Sequence, residues 1–348
     1  MIPPIRVLIV DDSAIVRKLL TESLNGAPDI EVVGTAPDPI VAKDRIESLK
    51  PDVITLDIEM PRMDGLSFLR TMPAERSSAV IVVSSLAQSG CSAALQALEA
   101  GAIDVVAKPG GPFSVSDLRT ILPGKVRAAF LAKRPRAFSP RSQGSTYRPL
   151  GQPSLGKGPA LPVIAIGAST GGTEAVRALL SDLPSACPPI LIVQHIPPVF
   201  SKAFAERLNS CCKLHVAEAA DGDRLEPGCA LVAPGDHHMS LHRSGGVLKV
   251  SISSGPRICY QRPSVDVLFQ SVAATLGASA IGVILTGMGS DGALGLLRMK
   301  ESGARTIGQD ENTCVVYGMP KEAVKAGAVQ QVLPLPAIAQ AICMAAGL

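Results

Sequence analysis

Short apolar runs that alternate with amphipathic stretches dominate this chain of 348 residues. Runs such as Val7–Val10, Ala79–Val83 and Ile281–Leu285 are bounded by polar or glycine residues and are short enough to be single buried strands. Strands that alternate with helical patterns predict a parallel sheet with helices on both faces. The chain is therefore expected to be an α/β protein. Its reactive side chains are expected at the carboxyl ends of the strands.

Two blocks of this pattern flank a segment of different composition. Residues 132–160 hold five prolines and six basic residues but no acidic ones, and they lack apolar periodicity. This predicts an extended linker between an N-terminal domain at 1–131 and a C-terminal domain at 161–348. A solubilising role for the basic residues is favoured, and docking of an acidic partner is the alternative.

Each block carries five predicted strands. Those of the first block are Ile5–Val10, Ile30–Ala36, Val53–Asp57, Ala79–Ser84 and Ile103–Val106. Those of the second block are Pro162–Ile166, Ile190–Gln194, Ala230–Ala233, Ser279–Leu285 and Thr306–Gly308. Two alternating runs within Met239–Ser253, joined by Gly245-Gly246, predict a β-hairpin. The second domain is therefore expected to be a doubly wound, mostly parallel sheet with an antiparallel appendage.

Composition argues against several classes of protein. Aromatic residues make up 3% of the chain, with no Trp, so a base-stacking surface for nucleic acid is not expected. The sequence has no run of about 18 apolar residues, so insertion into a membrane is not expected. The first predicted strand leaves no room for a signal peptide, which predicts a cytoplasmic location. The eight cysteines form no C-x-x-C pair, which favours reduced thiols over a zinc site.

Charged side chains follow three strands of the first block. Asp11 and Asp12 come after the first strand, Asp57 ends the third, and Lys108 follows the fifth. Adjacent parallel strands would gather them into one pocket, where carboxylates bind Mg²⁺ or shift one another's pKa. A carboxylate can also be a nucleophile that forms an aspartyl phosphate, and Lys108 would neutralise the phosphoryl charge. The alternative is that these aspartates only cap helices.

A glycine-rich turn follows the first strand of the second block. Gly167–Gly171 fits the G-x-S-x-G pattern, which exposes a serine hydroxyl, here that of Ser169, between a strand and a helix. The motif alone does not identify a nucleophile. A phosphate cradle and a simple helix cap are the alternatives that it leaves open.

A nucleophilic serine needs a base and a group that orients the base. His195 is the preferred base because it directly follows a predicted strand, and His237 and His238 are the rivals. Asp291 is the preferred orienting carboxylate, although it is also placed to cap a helix. Its loop is rich in glycine, so backbone N–H groups there are suited to stabilising an oxyanion. The order Ser169, His195, Asp291 differs from the order of α/β-hydrolases.

The first block resembles a response-regulator receiver domain in four separate places. These are Asp11-Asp12-Ser13, Asp57–Gly65, Ser84 and Lys108-Pro109. The resemblance implies a flavodoxin-like fold with a five-stranded parallel sheet. It also implies that Asp57 accepts a phosphoryl group from a histidine kinase.

The receiver resemblance implies further roles. Asp12, Asp57 and the backbone carbonyl of Glu59 would bind Mg²⁺, with Asp11 acting through water. Ser84 and Lys108 would respond to the phosphoryl group, and the Lys108–Pro109 peptide is expected to be cis. Many receivers have an aromatic residue at the position of Val105, so an aromatic switch is not expected here.

The second block resembles the catalytic domain of CheB-type protein-glutamate methylesterases. The matching segments are Ile166–Ala175, Gln194–Pro197, Arg262–Phe269 and Leu285–Ala293. The resemblance implies hydrolysis of glutamyl methyl esters on chemoreceptors with release of methanol, deamidation of certain receptor glutamines, and no cofactor for ester hydrolysis. Ser169 would be the nucleophile, His195 the base and Asp291 its orienting group. The N–H of Met288, together with Thr170, would stabilise the oxyanion.

The family resemblance also implies a mode of control, in which the unphosphorylated receiver covers the active site. Phosphorylation of Asp57 would weaken that interface. The alternative is a non-catalytic output module that binds a partner or a nucleotide. The set Ser169, His195 and Asp291 favours an enzyme, because a binding module has no use for all three.

Overall fold

The computed structural model describes residues 3–73, 77–85, 87–108, 115–132 and 162–348. Except for Ala132, the predicted linker lies outside these residues, and so does the predicted cis peptide between Lys108 and Pro109. Within the described residues, no helix is both long enough and apolar enough to cross a membrane.

The first sheet consists of five parallel strands in the order β2-β1-β3-β4-β5. The strands are β1 Ile5–Val10, β2 Ile30–Ala36, β3 Val53–Asp57, β4 Ala79–Ser84 and β5 Asp104–Ala107. The helices are α1 Ala14–Asn25, α2 Pro39–Leu49, α3 Gly65–Thr71, α4 Gln88–Glu99 and α5 Val115–Ala132. The neighbours of β1 are β2 on one side and β3 on the other, so the strand order reverses at β1, where ligand sites of such sheets form.

The second sheet has seven parallel strands in the order β14-β13-β12-β6-β7-β9-β8. They are β6 Val163–Ala168, β7 Ile190–Gln194, β8 His215–Glu218, β9 Cys229–Val232, β12 Ala280–Ile284, β13 Arg305–Gln309 and β14 Gln331–Leu333. A separate antiparallel pair is formed by β10 His238–Ser244 and β11 Val247–Ser253. The helices are α6 Gly172–Asp182, α7 Phe200–Cys211, α8 Val265–Leu276, α9 Ala293–Glu301, α10 Met319–Lys325 and α11 Leu335–Ala346.

The fold class that the alternating pattern predicts is confirmed, including two parallel sheets and the hairpin around Gly245-Gly246. The five strands predicted for the second block do not include β8 and β14, the two edge strands of the second sheet, and the sequence pattern predicts no helix at α11. β14 has only three residues, too few for a visible alternation. Helix α11 is almost wholly apolar, so no polar face marks its helical period.

The two domains touch through helices as well as near the site described below. Helix α4 of the N-terminal domain packs against α6 and α7 of the C-terminal domain. Arg207 on α7 forms an ion pair with Glu99 at the end of α4. Buried apolar residues of both domains belong to one continuous cluster.

Candidate active site

Ser169 stands at the carboxyl end of β6, in the tight turn that leads into α6. Its N–H donates to the carbonyl of Thr286, which follows β12, at 3.0 Å. The N-cap of α6 is Gly171, in the left-handed region at φ 75°, and no side chain caps this helix. A Cβ at Gly171 would lie 2.5 Å from the Cβ of Val315, so a larger residue does not fit. The helix-cap interpretation of Ser169 is therefore not supported.

His195 and Asp291 form a buried pair next to this turn. His195 follows β7, and its N–H donates to the carbonyl of Ala168 at 3.0 Å, which brings it beside Ser169. Its Nε2 is 2.8 Å from Oδ2 of Asp291. Because a carboxylate only accepts, the ring proton lies on Nε2 and Nδ1 keeps its lone pair. Nδ1 is buried and has no hydrogen-bond partner within the described part of the chain, so it is available as a base.

Asp291 is held by the N-terminus of α8. Its Oδ1 accepts hydrogen bonds from Ser264 Oγ at 2.8 Å and from the N–H of Asp266 at 3.0 Å. Its Oδ2 accepts a further bond from the N–H of Val265 at 2.8 Å. Burial by itself raises the pKa of Asp291, but the bonds from His195 and from these backbone groups outweigh it and lower the pKa below its usual value. Asp291 therefore stays ionised and fixes the orientation of the imidazole.

Helix α9, which follows Asp291, is capped by other residues. Its N-cap is Gly292, and the carboxylate of Asp266 accepts the N–H of Gly295 at 2.6 Å. The helix-cap alternative for Asp291 is thus wrong for α9. Asp266, for which the sequence indicated no role, accepts that N–H in its place.

The rival histidines are engaged elsewhere. In His238, Nε2 lies 2.9 Å from the carbonyl of Pro256, and Nδ1 accepts the N–H of Ser264 at 3.2 Å. His238 therefore supports Ser264, and through it Asp291, with both ring nitrogens occupied. The Nδ1 of His237 lies 3.2 Å from the carbonyl of Gly235. Neither residue lines the cavity that contains Ser169.

That cavity has a volume of about 250 Å³ and is lined by Ser169, Thr170, His195, Met288 and Asp291, among others. The backbone N–H groups of Thr170 and Met288 make no hydrogen bond within the residues that the structure describes. Both N–H groups are therefore unoccupied, and the oxyanion role that the family resemblance implies for these residues stays a prediction. The hydroxyl of Thr170 is not free, because it donates to Oδ2 of Asp104 at 2.7 Å.

Asp104 belongs to the N-terminal domain, at the start of β5. Lys125 on α5 neutralises it through an ion pair with Oδ1. Residues of β5 and α5, including Val106, Ile121 and Lys125, form one wall of the cavity. In this conformation the N-terminal domain therefore covers the site. The sequence predicts Asp104 within a strand and indicates no role for it.

A second contact between the domains lies at the rim of the cavity. Arg257 pairs with Asp117 of α5 and with Asp236, each at 3.3 Å. Their side chains are about a third exposed, so water screens this pair far more than the Thr170–Asp104 bond.

The predicted acidic pocket is present at the carboxyl edge of the first sheet. Lys108 Nζ lies 2.7 Å from Asp57 Oδ2 and 3.2 Å from Asp11 Oδ2. Burial raises the pKa of Asp57 to about 6, and the neighbouring Asp11 adds to the rise while Lys108 opposes it. Burial also raises the pKa of Asp11. Carboxylate oxygens of Asp11, Asp12 and Asp57 all lie within 4.8 Å of one another.

Other residues serve as the helix caps that the alternative interpretation assigned to these aspartates. Ser13 caps α1 and Asp64 caps α3. Asp57 instead accepts the N–H of Glu59 at 3.1 Å, which fixes the loop after β3. Ser84 is buried at the end of β4, and its hydroxyl donates to the carbonyl of Gly90 at 3.2 Å.

A second group of potential metal ligands is a structural cluster. Cys259, Asp266 and Asp291 approach one another within 4.8 Å. Both carboxylates already accept hydrogen bonds from helix N-termini, as described above. Burial, with the two nearby carboxylates, raises the pKa of the Cys259 thiol and disfavours the thiolate that a metal needs.

Comparison with known proteins agrees with this arrangement. Residues 7–122 match the response regulator receiver domain, and residues 164–342 match the CheB methylesterase domain. A protein-glutamate methylesterase/protein-glutamine glutaminase of Syntrophus aciditrophicus is 56% identical over 343 residues, which cover 97% of this chain and 98% of that protein. The chain belongs to the CheB methylesterase family.

Further relatives match nearly the whole chain or its C-terminal domain. The Escherichia coli K12 protein-glutamate methylesterase/protein-glutamine glutaminase is 49% identical over 342 residues, covering 97% of this chain and 95% of that protein. The crystal structure of the Thermotoga maritima CheB methylesterase catalytic domain superposes with a TM-score of 0.52 at 38% identity. The superposed region covers 53% of this chain and 98% of the Thermotoga domain. The N-terminal domain is accordingly a receiver domain, and the C-terminal one a methylesterase domain.

Proposed function

We propose that this chain is a protein-glutamate methylesterase and glutaminase whose own receiver domain controls it. The observation that carries the proposal is the His195–Asp291 pair beside Ser169. Asp291 holds the proton on Nε2, and the unpartnered Nδ1 is available for the serine proton. The cavity lies at the carboxyl ends of β6 and β7, where doubly wound sheets bind substrates.

The mechanism follows from this arrangement. Ser169 Oγ attacks the carbonyl carbon of a glutamyl methyl ester while Nδ1 of His195 takes its proton. The N–H groups of Thr170 and Met288 stabilise the tetrahedral oxyanion. The intermediate collapses, methanol leaves with the proton from His195, and a glutamyl–Ser169 ester remains. A water molecule, deprotonated by His195, then releases the glutamate carboxylate. With a glutamine side chain the leaving group is ammonia.

For regulation, we propose Asp57 as the phosphoacceptor and a chemotaxis histidine kinase as the donor. The all-oxygen set of Asp11, Asp12 and Asp57, together with the Glu59 carbonyl, suits Mg²⁺. Mg²⁺ supplies charge neutralisation for phosphoryl transfer when bound. Lys108, already paired with Asp57, binds the same phosphoryl group, and Ser84 responds to it.

The proposed substrates are methyl-accepting chemoreceptors, reached from a cytoplasmic location, and the linker at 132–160 is proposed to join 1–131 to 161–348. The test is methanol release from methylated receptor membranes, with and without a small phosphodonor. Wild-type protein should release methanol faster with the phosphodonor. Ser169→Ala and His195→Ala should lower the rate by about 10⁴- to 10⁶-fold, the usual cost of losing a triad member.

His237→Ala is the matched control, because His237 lies outside the cavity. It should retain most of the wild-type rate. Near-normal turnover in folded Ser169→Ala protein would contradict the assignment of the nucleophile. An inactive His237→Ala protein combined with an active His195→Ala protein would show that the wrong base had been chosen.

A further inference from the structure

A buried amide connects the main chain of the nucleophile to that of the base. Gln194 is the last residue of β7 and is 3% exposed. Its Nε2 donates to the carbonyl of Ser169 at 2.9 Å and to the carbonyl of His195 at 3.2 Å. One side chain thus links the ends of β6 and β7 at the two residues proposed to exchange a proton.

The bond to Ser169 also determines the direction of an oxyanion donor. The carbonyl of Ser169 accepts a second hydrogen bond, from the N–H of Gly172 at 2.7 Å. In a planar trans peptide the C=O of one residue and the N–H of the next point in opposite directions. Holding the Ser169 oxygen on the Gln194 side therefore fixes the Thr170 N–H on the other side. In G-x-S-x-G turns this N–H, from the residue after the nucleophile, forms part of the oxyanion hole.

One half of the Gln194 amide is unfavourable for fold stability. Oε1 of Gln194 is buried and has no hydrogen-bond partner within the described residues. Buried polar atoms without partners destabilise a fold and call for an explanation. The neighbouring helix start accommodates this oxygen, since a Cβ on Gly172 would lie only 2.1 Å from it. An apolar side chain of the same length would avoid the unpaired oxygen.

We propose that Gln194 is a positioning residue for ester hydrolysis. It aligns the Thr170 N–H with the developing oxyanion and sets the distance between the main chains of Ser169 and His195. The inference rests on the esterase function proposed above and adds a residue outside the Ser169–His195–Asp291 set. Because the oxyanion exists only after attack, Gln194 acts on kcat and leaves KM nearly unchanged.

The first test is Gln194→Met in the full-length protein, assayed for methanol release with saturating phosphodonor. Methionine keeps the length and removes both the donor and the unpaired oxygen. We expect kcat to fall about 10- to 100-fold, as for small misplacements of catalytic groups, with KM within about twofold of wild type. The melting temperature should change little, because the loss of the bonds to the Ser169 and His195 carbonyls offsets the removal of the unpaired oxygen.

Gln330→Met is the matched control. Gln330 is exposed and directly precedes β14; its Oε1 accepts the N–H of Thr306 at 2.9 Å, and it lies outside the cavity. The same chemical change there should leave kcat unchanged and lower the melting temperature slightly. A pattern in which both variants lose stability and neither loses kcat would mean that Gln194 is only structural.

Gln194→Glu provides an independent readout. A carboxyl group at this buried position donates a hydrogen bond only when it is protonated, and burial favours that form. The ratio of the variant's kcat to that of wild type should therefore rise as the pH falls. A ratio that is flat with pH, or a normal kcat in Gln194→Met, overturns the inference while wild type is active. Absence of methanol release by wild type would instead overturn the proposed function, and this inference with it.

Discussion

The contact between Asp104 and Thr170 allows a quantitative test of the closed, resting state of this enzyme. Asp104→Ala removes a charged acceptor from a bond that exists only when the receiver covers the cavity. Asp104 is 7% exposed, so solvent screens the bond little. A hydrogen bond to a charged group contributes about 1.5–3 kcal/mol. At about 1.36 kcal/mol per factor of ten, the closed form should weaken by about 10- to 150-fold relative to the open form.

Methanol release without phosphodonor measures this change. If the wild-type protein is mostly closed, its basal rate is proportional to the open fraction. The basal rate of Asp104→Ala should therefore rise by the same factor, up to the limit set by the fully stimulated wild-type rate. Stimulation by phosphodonor should shrink in proportion, because the mutation and phosphorylation remove the same cover. Lys125 loses its partner in both forms, so its effect on the opening equilibrium largely cancels.

Asp117→Ala is the matched control at the same interface. Its partner Arg257 is 3.3 Å away, and both side chains are partly exposed. Such ion pairs contribute about 0–1 kcal/mol, which corresponds to at most about a fivefold rise in the basal rate. An unchanged basal rate in folded Asp104→Ala protein, or a rise no larger than that of Asp117→Ala, would refute the reasoning.

Two further substitutions test the acidic groups. Asp57→Asn should keep basal esterase activity and lose stimulation by phosphodonor; continued stimulation would place the phosphoryl group elsewhere. The pKa of Asp57 is raised to about 6, so the folded state holds its proton more tightly than the unfolded chain does. This stabilises the fold below about pH 3.8, and the stabilisation is lost as the pH rises through about 6. Melting temperatures without Mg²⁺ should therefore fall over this window in wild type but less in Asp57→Asn, and equal slopes would contradict the shift. Asp291→Asn should lower kcat by about 10⁴-fold, as for the aspartate of other triads, and a change below tenfold would argue against its role.

Local patterns made much of this molecule predictable. The strands are short apolar runs, and parallel strands bring their carboxyl ends to one edge. The sequence therefore predicts that Asp11, Asp57 and Lys108 lie together, as they do in the structure. The turn around Ser169 was predictable for a similar reason, since its glycines follow a strand and precede a helix. In both cases the information lies within a few residues of the site.

The supports of the site were not predictable in this way. Asp291 is held by the N-terminus of α8 and by Ser264, whose N–H in turn is bound by His238. These partners are far apart in sequence and meet only because the order of strands around β6 places α8 beside the loop after β12. Neither the apolar periodicity nor the spacing of motifs in the sequence predicts which helix terminus lies next to which loop. The role of the Gln194 amide is equally unpredictable from the sequence, because its partners are backbone carbonyl groups, which every residue possesses.

The role of Asp104 shows a further limit of sequence reasoning and changes how inhibition is understood. The family resemblance implies that the receiver covers the active site, which steric blocking by any part of its surface would achieve. In this structure the cover includes a carboxylate bound to the hydroxyl of Thr170, whose backbone N–H is a proposed oxyanion donor. Release of the receiver therefore opens the cavity and also frees that hydroxyl. β5 contacts Thr170 through Asp104 and lines the esterase cavity through Val106 and Ala107, and it is followed directly by Lys108 of the phosphoacceptor pocket.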